Sequence, residues 1–294
     1  MHGGVEWDHA GAGALAMKFA TCNEMFEGWT WGDTCAAVRA AGYDGIEIAP
    51  FTFCDDVRTL DADARANIWR TAADEGLAIC GVHWLLVKPE GLQLLSLDPK
   101  VRARTVDYLV ALVDMCADVA GPGSVLTFGS PNQRSIPQGM DPEEAAALLD
   151  ASLRRVGDRA VERGVKFCLE PLPASMTNIM NTAAEVRSIV QRVNHPGIGM
   201  MLDVKSMCAE PQSPAEIIRD MAGFFSHFHA NDANMRGPGT GDVDFVPIMK
   251  ALLDVGYTGY VSVEVFDYRP DPITIARESL DYMKRCLEQA RTTA

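Results

Sequence analysis

The chain has 294 residues, of which 48% are hydrophobic and 22% are charged, a composition typical of a globular protein. Its formal charge of −14 opposes contact with nucleic-acid phosphates and with anionic membranes, so neither is an expected partner. No apolar run approaches the ~20 residues that span a bilayer, and the first residues lack the cationic start and apolar stretch of a secretory signal.

The eight cysteines include no C-x-x-C pair, and several of them lie within apolar strand or helix patterns. We therefore expect reduced, buried thiols in a cytoplasmic protein. Residues 1–17 are expected to form a disordered N-terminal lead, and residues 18–294 a single folded domain.

From Lys18 onward, short apolar segments alternate with segments of helix length. The predicted strands lie at 18–23, 45–50, 77–84, 124–130, 165–170, 197–203, 224–230 and 260–265. The predicted helices lie at 31–41, 61–75, 100–120, 142–163, 182–193, 214–221, 245–255 and 271–289. Eight strand–helix units in one direction predict an α/β fold with a parallel sheet. The number eight favours a closed (β/α)8 TIM barrel, and no glycine-rich nucleotide motif follows any strand.

Each of the last four predicted strands ends on a side chain that can ligate a metal. These side chains are Glu170, Asp203, His229 and Glu264. In a parallel barrel the C-terminal strand ends meet at one mouth, where three carboxylates would repel one another and a divalent cation would offset that cost. Mixed oxygen and nitrogen donors suit Mn²⁺, Mg²⁺, Co²⁺ or Zn²⁺, and the lack of thiolate argues against a structural zinc site. His227 alternates with His229, so spacing alone does not decide which of the two is a ligand.

Other polar groups follow the first four strands, among them Glu24, Glu47, His83 and Arg134. His83 and Arg134 are candidate substrate contacts, and the neighbouring Trp84 is a candidate wall of a sugar pocket. Lys205, two residues after Asp203, is a further candidate to hold a substrate oxygen or to donate a proton.

Several short motifs between Val165 and Phe266 carry a family resemblance. They are Glu170-Pro171-Leu172, Thr177-Asn178, Asn181-Thr182, Leu202-Asp203, His227-Phe228-His229, Arg236-Gly237-Pro238-Gly239-Thr240-Gly241 and Glu264. This pattern resembles the xylose-isomerase-like barrel superfamily of sugar isomerases and epimerases, and within it the ketose 3-epimerases. The resemblance implies one divalent cation, with Mn²⁺ expected first, held by the four strand-end ligands. It also implies that Glu170 and Glu264 are the catalytic acid–base pair, that the partner is a small carbohydrate, and that the chain forms a homo-oligomer.

The sequence departs from the ketose 3-epimerases at three substrate-binding positions. Met176 stands where they have a second Glu, Ser206 where they have a His, and Met235 where they have an Arg, with Arg236 beside it. The metal ligands are therefore retained while the contacts to a small ketose are absent. Arg236 becomes a candidate substrate contact, and a free ketohexose is not the favoured substrate.

The resulting hypothesis is a metal-dependent isomerase or epimerase that removes a proton next to the carbonyl of a keto sugar. One alternative is a lyase that eliminates a group β to the carbonyl of a 3-keto glycoside or a cyclitol. A second is an abasic-site nuclease, because endonuclease IV shares this barrel, although it needs more histidines than this chain offers. A third is a non-catalytic, metal-stabilised subunit.

Overall fold

The barrel in this computed structural model is described for residues 17–292. Its strands are β1 (Lys18–Cys22), β2 (Gly45–Ile48), β3 (Ala78–Val82), β4 (Val125–Phe128), β5 (Lys166–Leu169), β6 (Ile198–Asp203), β7 (Phe225–Ala230) and β8 (Tyr260–Val263). Each strand pairs in parallel with the next, and β8 pairs in parallel with β1, so the sheet is closed. The predicted (β/α)8 TIM barrel is thereby confirmed.

Helices connect the strands on the outside of the barrel. They are α1 (Trp31–Ala41), α2 (Ala62–Asp74), α3 (Pro99–Ala120), α4 (Pro131–Arg134), α5 (Pro142–Arg163), α6 (Ala183–Val193), α7 (Val204–Met207), α8 (Pro214–Asp220), α9 (Phe245–Asp254) and α10 (Pro272–Thr292). All eight predicted helices are present within a few residues of their expected ends. The four-residue helices α4 and α7 were not predicted, because a single turn shows no helical period of apolar residues.

Local side-chain hydrogen bonds define where the helices begin. The carboxylate of Asp141 accepts hydrogen bonds from the main-chain N–H groups of Glu143 and Glu144, and Pro142 occupies the first position of α5. Ser213 and Glu216 form a reciprocal capping box at the start of α8. These contacts satisfy N–H groups that the first turn of a helix leaves without partners.

The expected disordered lead falls almost wholly on residues 1–16, which lie outside the described part of the chain. Met17, its last residue, is buried against the core. All eight cysteines are free thiols, and six of them are buried. Within residues 17–292, no helix combines the length and the apolar character needed to cross a bilayer.

The strand register places the chemical groups of the second half at one end of the barrel. Asp203 at the end of β6 pairs with His229 of β7, and His229 pairs with Ser262 of β8. Glu264 follows β8 directly, and Glu170 follows β5 directly. The C-terminal ends of β5 to β8 therefore carry these side chains to one mouth.

Candidate active site

Four buried side chains meet at the C-terminal mouth of the barrel. The structure brings together the donor atoms of Glu170, Asp203, His229 and Glu264, all within 4.8 Å of one another. Each residue comes from a different strand end, as the sequence predicts, and each is at most 6% exposed. A cluster of three carboxylates and one imidazole at this spacing is a donor set that fits a divalent cation.

The Asp203 carboxylate is held in place by neighbouring donors on both oxygens. Oδ1 accepts a hydrogen bond from the main-chain N–H of Ser206 at 2.7 Å, because Asp203 is the N-cap of α7. Oδ2 accepts from Nδ2 of Asn231 at 2.6 Å, and Asn231 in turn accepts from the main-chain N–H of Lys205. The short helix α7 thus fixes the orientation of one member of the cluster.

Glu264 and His229 form a connected pair. Oε2 of Glu264 lies 3.1 Å from Nδ1 of His229, and Oε1 accepts a hydrogen bond from the indole N–H of Trp84 at 2.8 Å. On its other side, Nε2 of His229 lies 3.1 Å from Oε2 of Glu47, and the same oxygen lies 2.8 Å from Nε2 of His227. A carboxylate behind a histidine fixes its tautomer and ring orientation, so Nδ1 of His229 is the nitrogen that faces the cluster.

The two histidines that sequence spacing could not distinguish have different surroundings in the structure. His229 lies in the cluster, whereas His227 lies behind Glu47 and outside it. Burial by itself would raise the pKa of Glu47, but the charges and hydrogen bonds of His227 and His229 hold it well below its usual value. Glu47 is therefore held as an anion in contact with His229, the histidine of the cluster.

The acids of the cluster have pKa values that are shifted in opposite directions. Burial, followed by the negative charges of Glu264 and Asp203, raises the pKa of Glu170 to about 8. Burial would also raise the pKa of Glu264, but the charge and hydrogen bond of His229, the charge of His83 and the Trp84 N–H lower it to about 2. Repulsion among the crowded carboxylates is thus a real cost of this arrangement.

Glu170 is positioned by residues on the loop that follows β4. Gly129 lies so close to the Glu170 carboxylate that an added Cβ would overlap Oε2 and lie 3.4 Å from Cδ. Arg134 is fully buried, and its guanidinium donates to the main-chain carbonyl of Glu170 at 2.6 Å and to those of Phe128, Ile179 and Met180. This placement favours a positioning role for Arg134 over the substrate contact predicted from its place after the fourth strand.

His83 and Trp84 lie at the mouth beside the cluster. The ring of His83 packs edge-to-face on that of His229, with centroids 5.9 Å apart. The indole of Trp84 lies between Phe51 and Phe266, at 5.9 and 6.0 Å, and its backbone has a φ of 53°. A non-glycine residue in that left-handed region costs roughly 1–3 kcal/mol and is typical of functional sites.

The cationic groups of Lys205 and Arg236 contact different parts of the structure. Nζ of Lys205 lies 4.0 Å from the centroid of the Phe266 ring, near the aromatic wall that includes Trp84. The guanidinium of Arg236 donates to the carbonyl of Arg269 at 2.7 Å and lies 3.8 Å from Asp267, so its contacts are to the loop that follows β8. The structure therefore brings Lys205 toward the site and does not bring Arg236 to the cluster.

Glu47 and Glu24 each contact a histidine of the site, and the sequence did not predict these contacts. Glu47 supports His229, as described above, and Glu24 lies 2.9 Å from Nε2 of His83 through its Oε2. Both carboxylates are buried, and Oε1 of Glu24 and Nδ1 of His83 have no hydrogen-bond partner in the described residues. In the sequence, each of these acidic residues stands inside or just after an apolar strand. Nothing in the sequence indicated which histidine each of them would contact.

The chain is similar in sequence and in fold to several known sugar epimerases. A family profile described as a xylose isomerase-like TIM barrel matches residues 35–286. The chain is 30% identical over 236 residues to a D-psicose 3-epimerase of Ruminiclostridium cellulolyticum, covering 78% of this chain and 76% of the relative. It is 25% identical over 279 residues to a 3-dehydro-D-guloside 4-epimerase of Escherichia coli, covering 92% and 100%. A solved L-ribulose 3-epimerase superposes with a TM-score of 0.82 at 22% identity, covering 94% and 96%.

The contact between Gly129 and Glu170 predicts that Gly129→Ala displaces the Glu170 carboxylate. A misplacement of about 1 Å at a reacting group typically costs roughly 100-fold in rate, so we expect turnover to fall by about that factor. Gly32→Ala in α1 is the matched control, because a Cβ there meets nothing within 4 Å. Steady-state kinetics of both variants, with circular dichroism to verify the fold, checks this. Equal turnover in the two variants would contradict the positioning of Glu170 by Gly129.

Proposed function

Because the chain belongs to the xylose isomerase-like TIM-barrel family, we propose that it is a divalent-metal-dependent sugar epimerase or isomerase that removes a proton next to the carbonyl of a keto sugar. The observation that carries this proposal is the buried cluster of three carboxylates and one imidazole at the barrel mouth. The matching relatives are epimerases of ketoses and of a 3-keto glycoside, which supports the same class of reaction.

The residues of the cluster fit a single divalent cation. Their donor atoms converge within 4.8 Å. The negative charges of Asp203 and Glu264 repel a charged Glu170 carboxylate, and a bound cation would offset that repulsion. We propose that Glu170, Asp203, Glu264 and Nδ1 of His229 hold the ion, with Mn²⁺ expected ahead of Mg²⁺, Co²⁺ and Zn²⁺. When bound, such a cation polarises a carbonyl and the adjacent hydroxyl and so acidifies the carbon between them.

Glu170 and Glu264 are the proposed acid–base pair. They follow β5 and β8, so their carboxylates approach the mouth from different sides of the barrel. One carboxylate removes the proton from the carbon next to the carbonyl, and the other returns a proton. Return to the opposite face of the same carbon gives epimerisation, whereas return to the neighbouring carbon gives isomerisation.

The substrate is proposed to be larger than a free ketohexose. Two positions that would clamp a small ketose are Met176 and Met235, which are 38% and 49% exposed on loops that follow β5 and β7. The aromatic wall of Trp84, Phe51 and Phe266 instead offers apolar faces to a sugar ring. A 3-keto glycoside, the class on which the E. coli relative acts by its name, suits this mouth better.

His83, Trp84 and Lys205 are the proposed substrate contacts. Burial alone would lower the pKa of His83, but the charge and hydrogen bond of Glu24 and the charges of Glu47 and Glu264 raise it to about 9. The raised pKa favours the protonated imidazole, which is suited to donate a hydrogen bond to a substrate oxygen. Lys205 adds a second cationic donor beside Asp203.

The buried Glu24–His83 pair also supports a second candidate function, a β-elimination on a keto glycoside. In that reaction a carboxylate takes the proton next to the carbonyl and the C–O bond to the β substituent breaks. His83 would then give its proton to the departing oxygen, and Glu24 would support the imidazole through its 2.9 Å contact. Epimerisation and elimination share the first step and differ in whether a group is released.

Substituting Glu264→Gln is expected to slow proton exchange by about 10²–10⁴-fold, because a general acid–base group is lost. The measurement is deuterium incorporation next to the carbonyl in D₂O, screened over keto sugars, 3-keto glycosides and inosoles. Glu143→Gln, on the exposed start of α5, is the matched control and is expected to exchange at the wild-type rate. Unchanged exchange in the Glu264 variant would reject the proposed chemistry.

Removal of the metal with a chelator is expected to abolish exchange, and added Mn²⁺ is expected to restore it with one ion per chain by elemental analysis. The bound ion should also raise the midpoint of thermal unfolding. A ligand that binds only the folded state adds about 2.7 kcal/mol to the free energy of unfolding when it is present at 100 times its Kd. Asp203→Asn should lower the metal content, whereas Asp74→Asn, exposed on α2, should not. Full activity of the chelated protein would exclude metal dependence.

Substituting His83→Asn separates the two candidate reactions. For an epimerase we expect solvent exchange to continue, with KM raised about 10-fold by the loss of a charged hydrogen bond. For a lyase we expect release of the β substituent to be lost while exchange continues. His195→Asn, which removes a partly buried pair with Asp158 before the start of β6, is the control. Wild-type values of KM and of product release in the His83 variant would show that the pair has no role toward substrate.

A further inference from the structure

A large cavity opens at the end of the barrel opposite to the proposed active site. Its volume is about 570 Å³, and residues that begin strands line it, among them Lys18 of β1, Lys166 of β5 and Tyr260 of β8. We call it the basal cavity. Its size falls within the roughly 300–1,000 Å³ typical of small-molecule sites. Catalysis in such barrels takes place at the other end, so the proposed reaction does not use this space.

The basal cavity is cationic in a strongly acidic protein. Its lining residues include Lys18 and Lys166 but no aspartate or glutamate, although the whole chain carries a formal charge of −14. His227 also lines it, with Nε2 2.8 Å from the buried carboxylate of Glu47. Neither lysine has a carboxylate within ion-pair distance in the described residues, whereas Lys250 pairs with Asp254 on the surface. Asp44 acts on Tyr260 from outside the lining, and its carboxylate accepts a hydrogen bond from the main-chain N–H of Phe19.

The two lysines reach the cavity from opposite sides. In a closed barrel of eight strands ordered β1 to β8, β1 and β5 face each other across the axis. Gly199 leaves room for the stem of Lys166, since a Cβ there would lie 2.9 Å from its Cδ. Nζ of Lys18 lies 5.4 Å from the centroid of the Tyr260 ring, and Gly45 leaves room for that ring in the same way. The Lys166 stem and the Tyr260 ring are therefore packed against glycines of nearby strands, while Lys18 stays exposed at the rim of the cavity.

Aromatic and hydroxyl groups complete the wall. Tyr257 stacks on Phe225 with centroids 5.1 Å apart, and its hydroxyl donates to the carbonyl of Tyr260 at 2.7 Å. Ser226 also lines the space. Two ammonium groups without carboxylate partners in one cavity attract a compact anion with several charged oxygens, and aromatic faces with nearby hydroxyls suit a sugar-like ring. We propose that the basal cavity binds a small organic phosphate, with Lys18 and Lys166 contacting the phosphate oxygens.

Titration calorimetry on the metal-loaded, full-length protein tests this proposal. The probes are glucose 6-phosphate, inorganic phosphate and unphosphorylated glucose. We expect one molecule of glucose 6-phosphate per chain and no binding of glucose. Inorganic phosphate is expected to bind the same site more weakly, because it lacks the ring. Lys18→Met and Lys166→Met should each weaken the binding of glucose 6-phosphate at least about 10-fold, because each removes one charge-assisted hydrogen bond. Lys250→Met should not weaken it.

Several outcomes would overturn the proposal. The first is that neither glucose 6-phosphate nor inorganic phosphate binds. The second is that glucose binds as tightly as glucose 6-phosphate. The third is that the wild type and both lysine variants bind glucose 6-phosphate with equal affinity. The last result would place the phosphate elsewhere, for example at the catalytic mouth. Lys18 is exposed, so its replacement leaves the packed barrel intact, and Lys166→Arg is expected to retain binding by keeping the charge. Failure here would leave the proposed catalytic function untouched.

Discussion

The closure of eight parallel strands forces three carboxylates and one imidazole into a space less than 5 Å across. Two unit charges about 4 Å apart interact with roughly 4 kcal/mol near a protein surface, so ionising all three carboxylates together without a counter-charge would cost a large part of the stability of a domain. The raised pKa of Glu170, at about 8, expresses that cost. An arrangement of this kind is typical of a site whose charges are balanced by a bound cation.

The supporting residues explain why the cluster stays in place despite that repulsion. Asp203 caps a short helix, Glu264 accepts from Trp84, His229 rests on Glu47, and the main chain of Glu170 is tied to Arg134. Each partner is supplied by a different segment of the chain, and all of them are buried except the half-buried Trp84. Such support positions the donors before any ligand arrives, which reduces the reorganisation that binding and proton transfer require.

The sequence predicted the parts of this site that depend on local pattern. Strands and helices alternate with clear periods, and Glu170, Asp203, His229 and Glu264 each end an apolar run, so both the barrel and the cluster followed from them. Pairings between distant residues were not accessible, since Glu47 and His229 are 182 positions apart and Glu24 and His83 are 59 apart. Arg134 shows the same limit. Its place after a strand suggested a substrate contact, but only the structure shows that both terminal nitrogens of its guanidinium donate to main-chain carbonyls.

The central claim is that one divalent cation binds among the four strand-end side chains. Anomalous diffraction from crystals of the protein grown with Mn²⁺, recorded at the manganese absorption edge, tests it most directly. The account predicts one strong peak per chain, in contact with Glu170, Asp203, Glu264 and Nδ1 of His229. A peak at another place, or none at this cluster under saturating Mn²⁺, would contradict it.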